Sequence, residues 1–284
     1  MPQSSQKNEP GRPDHTDFSG LLDFACQLAD ASGDILRPRF RNALTVKNKS
    51  SDGEFDPVTE ADRLVERELR KRIDELYPSH GIIGEEFEMK AGNSPFTWVL
   101  DPIDGTRSFI SGVPLWGTLI ALNNGTRPII GVVDQPYLGE RFVALHAAHL
   151  SIAELRIAGT RRPLKTRPCD RLGNAILTCT DPVMFTTDDE QKAYRAVEGH
   201  CRLVRYSMDC YGYCLLAMGL IDLVIEAGLA PYDIQALIPV IEAAGGVVTN
   251  WNGEVPSEGG QIVAAGDARI HKQALAILSS AAKP

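Results

Sequence analysis

The run TWVLDPIDGT, residues 97–106, constrains this chain more than any other stretch. Trp98, Val99 and Leu100 read as a buried strand that stops at Asp101. Asp101 and Asp104 flank Pro102 and Ile103, and Gly105 follows. Proline removes a backbone donor and stiffens the turn. Glycine lets the backbone approach whatever sits there. Carboxylates at the end of an apolar strand are costly to bury unless a cation compensates them. The fold must therefore open this strand end onto a crevice, and the crevice must hold positive charge.

Other carboxylates stand at similar junctions. Glu85 and Glu86 close the short apolar run GIIG, and Asp233 opens a helix after the loop GLAPY. In FDPVTEADRL, Asp56, Glu60 and Asp62 crowd a helix start, with Thr59 and Asp62 at capping-box spacing. Strand ends and loop–helix junctions are where side chains from different elements converge. Taken singly, each acid reads more readily as surface charge or a helix cap. DPIDGT taken together with GEE does not. Several carboxylates with no histidine partner suit a hard cation such as Mg²⁺.

The formal net charge of −8 at pH 7, with both signs mixed along the chain, argues against a nucleic-acid or membrane partner. An anionic substrate would need positive charge supplied locally. Among the six cysteines no CxxC pair occurs. Cys210 and Cys214, four apart on an expected helix, lack further ligands at zinc spacing. All six thiols therefore read as buried and reduced, as in a cytoplasmic protein. No signal-peptide pattern and no bilayer-length apolar run is seen.

Residues 1–15 are polar and rich in Pro and Gly and read as a disordered tail. Helical periodicity runs from Phe18 to Ile35, a short strand is expected within Ala43–Ser51, and a helix follows Thr59. LWGTLIAL, RPIIGVVDQP and RFVALHA form a meander of strands. Strands NAILTCTD, IDLVIEA, GGVVTNWNG and QIVAAG alternate with helices DEQKAYRAVEGH, CYGYCLLAMGL, YDIQALIPVIEAAG and ARIHKQALAILSSA. The expectation is an α+β half over 16–150, carrying the metal ligands, and an α/β half over 151–284 that completes the site.

GEE at 84–86, WVLDPIDGTRSF at 98–109, PYDIQALIPVIEAAGG at 231–246 and DPVTEAD at 56–62 together resemble the inositol monophosphatase family of Mg²⁺-dependent phosphatases. The resemblance covers most of the chain outside the tail. It implies an α/β fold of layered αβαβα type, usually dimeric, and hydrolysis of a small phosphate monoester. DCYGYCLLAMGLIDLVIEAGLAPYDIQALIPVIEAAGG and GVVDQPYLGERF look most like the histidinol-phosphate phosphatase branch, which implies a role in histidine biosynthesis. Tyr232 stands where the inositol branch usually has Trp. Ser207 and Met208 stand where related sequences often have Gly.

By this resemblance Glu85, Asp101, Asp104, Asp233 and the Ile103 carbonyl ligate two or three Mg²⁺, and Li⁺ inhibits. Such ions would turn an acidic pocket into one that accepts phosphate. Thr106 and Asp56 orient and deprotonate the attacking water, while Glu60 and Asp62 serve the helix. Gly105 and Thr106 lie where backbone N–H groups can cradle phosphate. Asp209 and Glu226 face the leaving group, and carboxylates there suit a cation such as histidinol. An inositol, sugar or nucleotide phosphatase on the same scaffold is the alternative. A non-catalytic regulatory or RNA-linked protein is a third reading, opposed by the intact set of acids.

Overall fold

The computed structural model describes residues 17–42, 46–48, 57–147 and 149–283. The expected tail, Asp56 and most of the strand expected over Ala43–Ser51 lie outside these residues.

Helix α1 (Phe18–Leu36) buries Leu21, Leu22, Ala25, Leu28 and Ala29 on one face, as its periodicity requires. A short pair, β1 (Val46–Asn48) and β2 (Pro57–Thr59), leads to α2 (Glu60–Leu76). The capping box at the start of α2 is formed. Asp62 Oδ2 accepts the Thr59 N–H at 2.8 Å and the Thr59 hydroxyl at 2.6 Å, so Asp62 serves the helix as expected.

The first sheet has seven strands in sequence order: β3 (Gly81–Gly84), β4 (Thr97–Asp104), β5 (Gly117–Asn123), β6 (Pro128–Gln135), β7 (Glu140–Ala147), β8 (Leu150–Ile157) and β9 (Thr160–Pro163). Only β3 and β4 are parallel; the remainder is the expected meander, lengthened by β8 and β9. Two expectations change here. Strand β4 does not stop at Asp101 but runs to Asp104, with its pairing to β5 slipping between those residues. Pro102 has no N–H for the ladder, so the strand bends there instead of ending. The sheet also continues to Pro163, past the division expected at 150/151. Short helix α3 (Thr106–Ser111) leaves β4 through Gly105, whose φ of +82° is open to glycine at little cost.

The second sheet has the order β11-β10-β12-β14-β13, built from β10 (Ile176–Cys179), β11 (Leu203–Tyr206), β12 (Leu223–Leu229), β13 (Val247–Asn250) and β14 (Gly260–Ala265). Helices α4 (Asp188–Glu198), α5 (Asp209–Ala217), α6 (Pro231–Ile234), α7 (Leu237–Ala243) and α8 (Ala268–Leu278) alternate with these strands. The single helix expected over YDIQALIPVIEAAG is thus two helices, because Pro239 has no N–H to donate to the Gln235 carbonyl one turn earlier.

Three apolar cores stack these parts. One joins α1 and α2 to the first sheet, through Leu28, Leu69, Trp98 and Ile120. The second fills the space between the sheets with α5 and α7, through Val99, Leu119, Leu216 and Val240. The third packs α4 and α8 on the far side of the second sheet, through Tyr194, Val263 and Ile270. Helix, sheet, helix, sheet and helix follow in turn. Strands β4, β5 and β6 are covered on both faces, which explains their near-continuous apolar sequence. No helix among the described residues is long and apolar enough to cross a membrane, and their cysteines are all free thiols.

Candidate active site

The ends of β3 and β4 and the starts of α3, α5 and α6 meet in the layer between the sheets. Carboxylate oxygens of Asp101, Asp104 and Asp233 lie within 4.8 Å of one another. Asp101 is held by the Ile103 N–H, donated to its Oδ1 at 3.0 Å. Asp104 Oδ2 accepts the Cys210 N–H at 2.7 Å, and Asp233 Oδ2 the Ala230 N–H at 2.7 Å. Glu85, just past the end of β3, lies close enough for its charge to act on the Asp101 carboxyl.

These acids are poorly compensated. Burial, then the charges of Glu85, Asp104 and Asp233, push Asp101 well above the usual carboxylate range. Burial and the charges of Asp209 and Asp233 do the same to Asp104. Asp233 rises to about 7, driven by burial, partly offset by the Ala230 N–H and reinforced by Glu85. Several acids at separations that disfavour joint ionisation form a donor set for a hard cation, so they fit a Mg²⁺-type ion. The Ile103 carbonyl accepts the Thr106 hydroxyl at 3.0 Å and has a second lone pair to offer.

The GEE turn is positioned by Glu66, a residue the sequence reading did not single out. Glu66 is buried on α2, accepts the Glu86 N–H at 2.7 Å and pairs with Arg70 at 2.7 Å. Its carboxylate occupies the space where a side chain on Gly84 would stand. Burial raises Asp62 to about 6, with the Thr59 bonds opposing and Glu85 and Glu86 adding to the rise.

Beside the trio is a cavity of about 160 Å³, lined among others by Asp104, Thr180, Met184, Asp209, Glu226 and Asp233. Asp209 begins α5 with φ of +45°, and Ser207 before it has φ of +61°. Both are strained for residues with side chains, and the turn aims Asp209 back at the DPIDGT strand end. Burial raises the Asp209 carboxyl, while the Ser108 bond and the Arg107 charge restrain the rise. Glu226 is buried with both oxygens engaged. Oε1 accepts the Thr180 N–H at 2.9 Å and its hydroxyl at 2.5 Å, and Oε2 accepts the Tyr213 hydroxyl at 2.8 Å. Burial outweighs these bonds and pushes Glu226 up to about 7. The cysteine pair plays no ligand part: Cys210 and Cys214 are buried thiols raised well above their ordinary value by burial, hence protonated.

A five-layered αβαβα fold with an acidic cluster between its two sheets is the arrangement that the motifs led us to expect of a metal-dependent enzyme hydrolysing phosphate monoesters. A sequence model of the inositol monophosphatase family matches residues 17–283, and the chain belongs to that family. A chloroplastic bifunctional phosphatase, IMPL2, of Arabidopsis thaliana is 42% identical over 259 residues, covering 87% of this chain and 72% of the relative. A histidinol-phosphatase of Mycobacterium tuberculosis is 32% identical, covering 91% and 98%. A solved inositol monophosphatase from Zymomonas mobilis superposes with a TM-score of 0.80 at 36% identity, over 93% of this chain and all of that one.

Proposed function

We propose that this chain is a Mg²⁺-dependent histidinol-phosphate phosphatase, converting L-histidinol phosphate and water to L-histidinol and phosphate. The observation that carries the reading is the Asp209 carboxylate, on the cavity wall next to Asp104 and backed by Glu226. Histidinol brings an ammonium and an imidazole, and acidic side chains at that wall suit a cation. The relatives named histidinol-phosphatase support the same reading.

In this proposal Glu85, Asp101, Asp104, Asp233 and the Ile103 carbonyl hold two or three Mg²⁺. Bound there, Mg²⁺ would supply Lewis acidity and offset the phosphoryl charge. Thr106 donates its hydroxyl proton to the Ile103 carbonyl. Its lone pairs are then left to accept from the attacking water. Asp56, outside the described residues, takes the proton. The first-turn N–H groups of α3, entered through Gly105, have no intrahelical partner and face the phosphoryl oxygens. Glu226 orients Thr180 and Tyr213 on the leaving-group side, so its contribution comes through the shape of that wall. The same reading makes the protein a cytoplasmic homodimer of histidine biosynthesis, inhibited by Li⁺ in competition with Mg²⁺.

The relatives and the solved structure named inositol monophosphatase favour a second reading, in which inositol phosphate is also turned over. Phosphate release with Mg²⁺ decides between them, using histidinol phosphate, inositol 1-phosphate, fructose 1,6-bisphosphate and adenosine 3′,5′-bisphosphate. A kcat/KM advantage of about 100-fold for histidinol phosphate, about 2.7 kcal/mol, is expected. A flat panel would remove the substrate assignment.

A further inference from the structure

The turn from β4 into α3 and the turn before α5 hold each other by two reciprocal bonds. The side chain of Asp104, on the first turn, accepts the Cys210 N–H of the second at 2.7 Å. The side chain of Asp209, on the second, accepts the Ser108 hydroxyl of the first at 2.6 Å. Ser108 is almost fully buried, so its hydroxyl has little water to compete for it. Gly105 leaves the space that Asp209 occupies: a methyl group there would sit 3.1 Å from Asp209 Cβ, Cγ and Oδ2. The strained backbone at Ser207 and Asp209 needs such support to persist.

We infer that Ser108 is a positioning residue for substrate selection: it fixes Asp209 Oδ2 and turns Oδ1 toward the leaving group. The Ser108 bond engages Oδ2, and Oδ1 is the oxygen offered to a ligand donor. The class of leaving group that rewards this arrangement is a cationic amino alcohol, whose ammonium makes a charge-assisted bond to a fixed carboxylate. A neutral polyol gains less from the same oxygen. The inference rests on the proposed role of Asp209 at the leaving group, and adds that Ser108 enforces it across the junction of the two sheets.

The test compares the full-length Mg²⁺-loaded enzyme with Ser108→Ala, Ser108→Thr, Asp209→Asn and the double variant Ser108→Ala/Asp209→Asn. Histidinol phosphate and inositol 1-phosphate are the two substrates, and thermal unfolding controls for folding. Ser108→Ala is expected to raise KM for histidinol phosphate about tenfold, the scale of one hydrogen bond to a charged group. Its kcat should stay within roughly a factor of two to three, and inositol 1-phosphate kinetics should barely move. Ser108→Thr, which keeps the hydroxyl, should restore KM, and the double variant should discriminate no worse than Asp209→Asn alone. If Asp209→Asn relaxes selectivity but Ser108→Ala does not, the Ser108 inference is overturned and the Asp209 reading stands. An equal fall in kcat for both substrates overturns it too, because the serine would then act on the whole turn. If Asp209→Asn leaves selectivity intact, both fall together.

Discussion

Removing the metal should make this protein less stable as the pH rises, the reverse of what salt-bridged carboxylates do. Asp233 moves from 3.8 to about 7 on folding, so between those values the folded chain binds a proton that the unfolded chain has released. Its stabilising effect is complete below about pH 4 and is lost as pH rises through about 7. Between about pH 5.5 and about pH 8 that one group removes about 2 kcal/mol from the metal-free protein. Asp101 and Asp104 are raised as well and act in the same direction. For a domain of this size the melting temperature should fall by about 5 °C or more. Mg²⁺ at about 100 times its Kd should return about 2.7 kcal/mol, mostly at the alkaline end, because its ligands must be deprotonated. The assay is thermal unfolding with EDTA or with Mg²⁺ at both pH values, for the parent chain and Asp233→Asn. The variant should flatten the EDTA profile. A metal-free melting temperature that holds or rises toward pH 8 would mean that the trio is not an uncompensated anionic cluster.

Asp104→Asn should cut turnover at least about 100-fold with a melting temperature near that of the parent, as expected for losing one charged ligand from a preorganised site; steady-state phosphate release near the parent's would remove Asp104 from the ligand set. Gly105→Ala should cost about 1–3 kcal/mol in denaturant unfolding, because alanine at φ +82° is strained and its methyl crowds Asp209; an unchanged midpoint would contradict that crowding. At the C-terminus Lys283 and Gln261 bind Glu190 at 2.7 and 2.8 Å. Burial alone would raise Glu190, but these bonds and Thr187 hold it down to about 2. Its stabilisation is therefore present above pH 4.5, the ordinary value, and is lost as pH falls toward 2. Lys283→Met should cost about 1 kcal/mol at neutral pH, Lys283 being half-exposed, and progressively less on acidification; a cost that persists in acid would point to lost packing instead.

The convergence of Asp101 and Asp104 at one strand end could be read from the sequence because local rules carry it. Apolar runs that end in acids mark strand ends, and the Asp101–Asp104 spacing around Pro102 keeps both side chains at one bend. The capping role of Asp62 was legible for the same reason, since its partner Thr59 lies only three positions away. Features set by distant contacts were not legible. Strands β8 and β9 are half-exposed or exposed, and β8 is paired by β7 and β9 in turn by β8, so their polar alternation gave little signal. Glu226 could be picked out as a carboxylate, but its engagement by Thr180, 46 residues away, belongs to the folded sheet. Ser108 lies inside a motif already singled out, and only its bond to Asp209, 101 residues on, gives it a role.

In the proposed function these acids hold metal while Asp209 meets a cationic leaving group. Crystals grown with Mn²⁺ in place of Mg²⁺ and soaked with histidinol test it most directly. Anomalous peaks are expected among Asp101, Asp104 and Asp233, and the histidinol ammonium is expected within hydrogen-bond distance of Asp209 Oδ1. An absence of metal at the trio, or histidinol bound with its amine turned away from Asp209, would contradict it.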